Sequence, residues 1–347
     1  MASGDKIIEV SKAAGFVSLF GHISKGTGDT LNLPEGAVNI GGNSFGYLLE
    51  PAVDWDPVAN NDGSFASLAL GDDVCIYAVR DASGIAQWVA SKNSTVPTGY
   101  TAGTSRKLGG FHFGRVREKA DRYDAAITPA TQIVPNSCWD LRHRPTCDPT
   151  GMVEVIPGKL WVDIYLNSEG SGTWPDNIPV SRYGATPIKD DVYARSDFHL
   201  LAANAGKQLP TVEQFKAYAQ GCLQGNDANN DAAWSATSNT GPTTTGAVAK
   251  AVSMFNVVDA AGNLWDWIDN HHDLGGTFAY DKAVVDVGKD AAFARGEVHH
   301  AVWRCFFGGG DFDYGVRAGA GCLYSNAHPW YAIGSVGLRG VCGALGA

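Results

Sequence analysis

The chain has 347 residues, with 26 Lys and Arg against 36 Asp and Glu for a net charge of −10. No basic run is present that would track a phosphate backbone, so nucleic acid is not an expected partner. An apolar fraction of 44% suits a soluble globular protein of two or three domains, while 43 Gly and 10 Trp point to many turns and short strands.

The opening stretch MASGDKIIEVSKAAGFVSLF carries acidic residues and no sustained apolar run, so a secretory signal is not expected. No segment approaches the roughly 18 apolar residues of a membrane span, and membrane insertion is not expected either. Synthesis in a host cytoplasm is the expectation. Seven cysteines (75, 138, 147, 222, 305, 322, 342) show no CxxC pair, which argues against a zinc knuckle. Cys138 and Cys147 are close enough in sequence to bridge a short loop, but buried free thiols suit a reducing compartment better.

Short strands are predicted at Lys6–Val10, Phe16–Phe20 and Ala37–Ile40, making residues 1–40 a glycine-punctuated opening segment suited to attachment or trimerisation. Strand-like runs recur over residues 41–118, at Val74–Val79, Ala86–Ala90 and Gly109–Arg115, as in a small β-sandwich. Residues 119–347 have a different texture. Lys159–Leu166 reads as a strand, and Leu209–Ala219 as a helix with Thr211 as N-cap and Phe215, Tyr218 and Ala219 on one face. Residues 225–250 are polar and low in complexity, which predicts a long surface loop. Trp265 and Trp267, at i and i+2, are expected to pack a strand into the core.

The region from about 303 to 342 alternates Gly and Arg punctuation with Asp311, Phe312, Asp313, Tyr314, Tyr324, Asn326, His328, Trp330, Tyr331, Ile333 and Ser335. Aromatic side chains give large contact area at low entropic cost, and short polar ones give adaptable hydrogen bonds, so this is the composition of a binding face. Arg317 and Arg339 are expected to be buried or half-buried scaffold groups.

The order GKQLPTVEQFKAYAQG, AAGNLWDWIDN, a Gly-Gly-Gly turn and Gly-Leu-Arg-Gly-Val resembles the C-type-lectin-like fold in its formylglycine-generating-enzyme branch. Within it, the chain resembles the variable, ligand-binding proteins of diversity-generating retroelements, in particular receptor-binding proteins at phage tail-fibre tips. VPTGY at 96–100, RKLGGFH at 106–112, Trp139-Asp140, Arg144-Pro145, Asp148-Pro149, Gly151-Met152 and WVDIYL at 161–166 extend the likeness over roughly residues 70–342, with residues 1–40 unmatched.

The resemblance implies an α+β, β-rich chain: a short N-terminal segment, a small β-sandwich and a C-terminal C-type-lectin-like domain. It implies a non-enzymatic, homotrimeric virion tail-fibre protein that joins a fibre and binds a host-surface protein or glycan; display on a bacterial surface is the alternative. Adenine-directed mutagenesis would diversify exposed positions at Tyr331, Ile333 and Ser335, at Tyr324, Asn326 and His328, and at Asp311, Asp313 and Tyr314, with Phe312 beside them. Trp330 joins the set on composition alone.

Two rival functions share the fold. A copper oxidase or sulfoxide synthase needs a soft thiolate pair, for which Cys305, Cys322 and Cys342 are the candidates; no HxxxH pattern offers an iron site. A calcium-dependent lectin would need a Glu-Pro-Asn or Gln-Pro-Asp triplet, and neither is present. No cofactor is expected, with a structural Ca²⁺ on the oxygen ligands of Asp269–Asp273 the one exception left open.

Overall fold

A computed structural model describes residues 6–9, 15–42, 45–80, 86–225, 234–283 and 287–345. They form two compact units. The first comprises Met1–Gly114 with Thr131–Arg144 and Ala344–Ala347; the second comprises Arg115–Ala130 with Pro145–Gly343. The chain therefore leaves the first unit, returns to it for fourteen residues, builds the rest of the second, and passes back to the first at Ala344.

The first unit is built from short antiparallel strands. One sheet runs Lys6–Glu9, Phe45–Leu49, Gly36–Asn39, Val17–Leu19. A second runs Ala130–Ile133, Ser105–Val116, Asp72–Arg80, Ala86–Ser91, with Trp139–Asp140 also paired to Ser105–Val116. A third, small sheet joins Ser24–Lys25, Leu31–Leu33 and Ala52–Trp55. The predicted strands are found at these places with boundaries shifted by a few residues; Val10 lies outside the described residues.

Residues 15–40 are packed into the same body as the sandwich strands. Strands of three or four residues cannot bury a face alone, and Leu19, Leu31, Val38 and Ile40 join one core with Val74, Ile76, Leu108 and Phe111. Close pairing explains Gly109: a Cβ there would lie 2.3 Å from the Trp139 carbonyl oxygen.

The second unit carries three sheets relevant to the site. Leu160–Asp163 pairs with Met152–Ile156 on one side and Val341–Gly343 on the other, so the two ends of the unit lie together. Asn167–Ser171 pairs with Ile178–Ser181. A four-stranded sheet runs Leu323–Ala327, Trp303–Gly308, Trp265–Asp273, Val336–Gly337, the last pair parallel.

Two helices support it. In Val212–Tyr218, Thr211 Oγ1 accepts from the Gln214 N–H (3.3 Å) and Gln214 Oε1 accepts from the Thr211 N–H (2.8 Å), the reciprocal capping box. Phe215, Tyr218 and Ala219 are all buried, on the predicted face. Arg195–Asn204 is a helix that the sequence does not announce, because Ala194 offers no side-chain cap. Its signal is the buried spacing Phe198, Leu201, Ala202, helped by Asp197, which accepts the Ala194 N–H at 2.9 Å.

Two expectations are corrected. Residues 234–250 are a loop, as predicted, but only partly at the surface: Thr237, Ser238 and Thr240 are exposed, while Trp234, Ser235, Thr245 and Val248 are buried, Trp234 and Val248 clustering with Leu223 and Ala251. Polar composition misleads because Ser and Thr hydroxyls satisfy backbone groups here, as Thr245 Oγ1 does in donating to the Arg182 carbonyl at 2.5 Å. Residues 226–233 of that stretch lie outside the described residues. Arg317 is exposed rather than scaffold, its guanidinium 5.9 Å from the Tyr314 ring centre.

Arg339, by contrast, is fully buried and ties the unit together. Its Nε donates to Asp266 Oδ2 at 2.9 Å, Nη1 to the carbonyls of Asp163 and Ile164 at 3.1 Å, and Nη2 to those of Val258 and Asp259 at 3.0 Å. The Tyr218 hydroxyl donates to the same Asp266 oxygen at 2.7 Å. One planar fork thus ties the segment carrying Arg339 to Asp163–Ile164, to Val258–Asp259 and to the Asp266 side chain.

Candidate functional site

The closing region is held from beneath by tightly packed backbone. Gly309 has φ of +96°, and a Cβ on it would meet the Ala260 carbonyl oxygen at 2.7 Å, so the Gly-Gly-Gly turn is dictated by handedness and close approach together. Trp267 packs edge-on against Phe307 with ring centres 4.5 Å apart, completing the floor below the strands. Trp265 and Trp267 are both buried, as their spacing required.

Above this floor lies a pocket of about 270 Å³ lined by Trp265, Phe307, Asp311, Asp313, Tyr314, Tyr324, Tyr331, Ile333 and Ser335. Seven of these nine are candidate contacts from the sequence; Trp265 is expected there as a core residue, and nothing in the sequence singles out Phe307. Alternation along the two central strands is the available signal, since a residue at the rim of a core serves both (Trp265 is 4% exposed and still forms wall). The rings interlock: Tyr314 meets Trp265 edge-on at 4.7 Å, Tyr324 stacks on Phe307 at 5.9 Å, and Tyr331 leans on Phe307 at 6.2 Å.

Exposure is not uniform across the predicted positions. Asp313, Asn326 and Ile333 are exposed, and Phe312, Tyr314, Tyr324, His328, Trp330 and Tyr331 are half-buried. Asp311 and Ser335 differ from the expectation of exposed positions, for they are buried at 6% and 8%. Asp311 Oδ2 accepts the Trp265 indole N–H at 3.0 Å, and its carbonyl takes the Ser235 hydroxyl. Burial, followed by the neighbouring Asp313, pushes the Asp311 carboxyl up to about 6. The Ser335 carbonyl accepts the Trp265 N–H at 3.0 Å.

Asn326, His328 and Trp330 fall outside the pocket and form an adjoining patch. The cause is a register irregularity: Phe307 faces Tyr324, but Cys305 faces Ala327, so one extra residue turns Asn326 away from Tyr324. Arg304, unremarked in the sequence, fixes this patch. Its Nε donates to Asn326 Oδ1 at 2.6 Å, and its Nη1 lies 3.0 Å from His328 Nδ1. Partial burial, then the Arg304 charge, lowers the His328 pKa. Trp330 stacks beside His328, ring centres 4.6 Å apart. Phe312 joins neither group.

The three cysteines named as candidate copper ligands do not converge. Cys305 pairs with Ala327 while Cys322 precedes Leu323, the partner of Gly308. Cys322 thus lies opposite Gly309, four strand positions from Cys305 and roughly 13 Å away at the usual rise, too far for a shared copper. Cys342 lies elsewhere, its sulfur 2.8 Å from that of Cys147, while Cys138 is buried in the core of the first unit. Among the described residues, no three His, Cys, Asp or Glu side chains converge as metal ligands. His271 and His272 diverge, packing against Trp303 and Phe306 respectively.

Comparison with known proteins bears on both units. Residues 23–140 match the family model described as the Mtd second domain, beginning beside Ser24 and ending on the strand Trp139–Asp140 that returns to the first unit. The likeness thus reaches well before residue 70. The tail fiber receptor-binding protein of Bordetella phage BPP-1 is 30% identical over 295 residues, covering 80% of this chain and 73% of that protein. Among solved structures, the Major Tropism Determinant M1 variant aligns with a TM-score of 0.67 at 24% identity, over 99% of this chain and 86% of the other. The U1 variant aligns at 0.66 with the same identity and coverage. These structures share the β-rich, C-type-lectin-like fold. With sequence likeness to the phage protein extending through both units, the chain belongs to the major tropism determinant family.

Proposed function

We propose that this chain is the receptor-binding protein of a phage tail fibre and that the second unit meets a host-surface receptor through the aromatic pocket and the Arg304 patch beside it. One observation carries the assignment of the face: side chains chosen from sequence as candidate contacts, Asp311, Asp313, Tyr314, Tyr324, Tyr331, Ile333 and Ser335, line one pocket. The family likeness supplies the biological setting, a receptor-binding protein carried on the virion tail.

The chemistry is that of binding, with no catalytic step. A rigid floor of Trp265, Trp267 and Phe307 presents half-buried rings whose ordering is complete before a partner arrives, which lowers the entropic cost of association. We read the exposed positions as diversified by adenine-directed mutagenesis, with Asp311 and Ser335 constrained by what they hold beneath. Residues 1–40 are read as the segment that joins the fibre, and the assembly as a homotrimer, in which a weak site gains avidity by repetition.

The test removes outer contacts while sparing the floor. Tyr331→Ala with Ile333→Ala should abolish adsorption to host cells and leave the melting temperature within about 3 °C, since Ile333 is 53% exposed and Tyr331 half-buried. Undiminished adsorption by the correctly folded variant would overturn the placement of the receptor site.

A further inference from the structure

We infer that the pocket takes a single cationic side chain, lysine or arginine, from a receptor protein; the inference rests on reading this pocket as part of the receptor-contacting face. Three observations converge on it. The first is the wall. Five aromatic rings, Trp265, Phe307, Tyr314, Tyr324 and Tyr331, surround the space, and their faces carry the negative end of the ring quadrupole. The chain already uses one of these rings in this way, for the Arg317 guanidinium sits 5.9 Å from the centre of Tyr314 without itself lining the pocket.

The second is the charge. Asp311 and Asp313 are the acidic groups on the lining, and no Lys, Arg or His shares it. Arg304 does not line it and is engaged by Asn326 and His328. Burial first, and then the neighbouring Asp313, disfavours ionisation of Asp311 and pushes its carboxyl up to about 6. A cation entering between rings and carboxyls relieves that repulsion, whereas an acidic sugar or phosphate would add to it. The third is size. At about 270 Å³ the space falls at or below the lower end of small-molecule sites, enough for one long side chain and too small to enclose an oligosaccharide.

The full-length protein should be titrated with Nα-acetyl-arginine methylamide and its lysine counterpart, with the uncharged citrulline counterpart, and with methyl β-glucoside, read by ring-current shifts of the probe's own proton signals. The expected result is saturable upfield movement of the arginine or lysine side-chain methylenes, with affinity about tenfold above that of the citrulline probe. Asp313→Asn, at an exposed position that leaves the fold undisturbed, should weaken the cationic probes by about tenfold and leave the citrulline probe unchanged.

Equal binding of citrulline and arginine, preferred binding of the glucoside, or no saturable shift of either cationic probe overturns the inference. Cell adsorption separates it from the reading beneath it. If Asp313→Asn adsorbs normally while the Tyr331→Ala, Ile333→Ala variant does not, the face stands and the cation subsite falls. If both variants adsorb normally, the face itself is misplaced.

Discussion

Replacing Arg339 by Met keeps the length of the side chain and removes its charge and all its donors. In the native protein five hydrogen bonds converge on this guanidinium, one to the buried Asp266 carboxylate and four to backbone carbonyls. Breaking a buried ion pair from one side costs about 3–5 kcal/mol, and each carbonyl left dry adds about 1 kcal/mol unless water enters. The expected loss is therefore at least about 4 kcal/mol, a large part of the roughly 5–15 kcal/mol that holds a domain folded. Asp266 should then protonate at neutral pH, since burial already raises its pKa and Arg339 is the first of the groups that oppose the rise.

Urea unfolding followed by tryptophan fluorescence reports on this unit, which holds the buried Trp161, Trp234 and Trp267. Adding Asp266→Asn to Arg339→Met removes the stranded charge and should recover about 1–3 kcal/mol. A single variant within about 1 kcal/mol of the native protein, or a double variant no better than the single, would refute the account of Arg339 as the tie between segments.

Two further outcomes are expected. Asp259 is fully buried and burial pushes it up to about 6, partly opposed by the Gly246 N–H and by Arg339. A carboxyl whose folded pKa is raised binds protons more tightly when folded, so its stabilising contribution is complete below its unfolded pKa and disappears as pH climbs to about 6. Asp259→Asn lacks this dependence: relative to the native protein it should gain about 3 kcal/mol between roughly pH 3.5 and 7, and parallel stability curves would contradict the assignment. Cys147 and Cys342 have sulfurs 2.8 Å apart, a contact that lowers the Cys342 pKa. Mild oxidation should remove two thiols and join the peptides carrying Cys147 and Cys342, as read by mass spectrometry; pairing through Cys138 would contradict it.

How much of the molecule is legible in its sequence depends on the distance over which each signal acts. The helix from Val212 is legible because Thr211, Gln214 and the Phe215–Tyr218 face lie within two turns. The helix from Arg195 is hidden because its cap is completed by Asp197, which also receives the Lys289 N–H from 92 residues away. Residues 234–250 mislead for the same reason, since composition does not show that Ser235 donates to Asp311. The candidate face is largely visible as a pattern of aromatic and short polar residues between glycines, and its family resemblance sharpens it to numbered positions.

By itself the sequence determined the parts governed by local chemistry: glycine where Gly309 needs a left-handed turn, alternating tryptophans at 265 and 267, and a closing region rich in contact-forming side chains. Only the tertiary structure decided how that region divides. A single extra residue between Tyr324 and Ala327 sends Tyr324 to the pocket and Asn326 to Arg304, and burial turns Asp311 and Ser335 from free contacts into supports. Strand register and depth are set by the summed packing of distant segments, and no window of the sequence contains that sum.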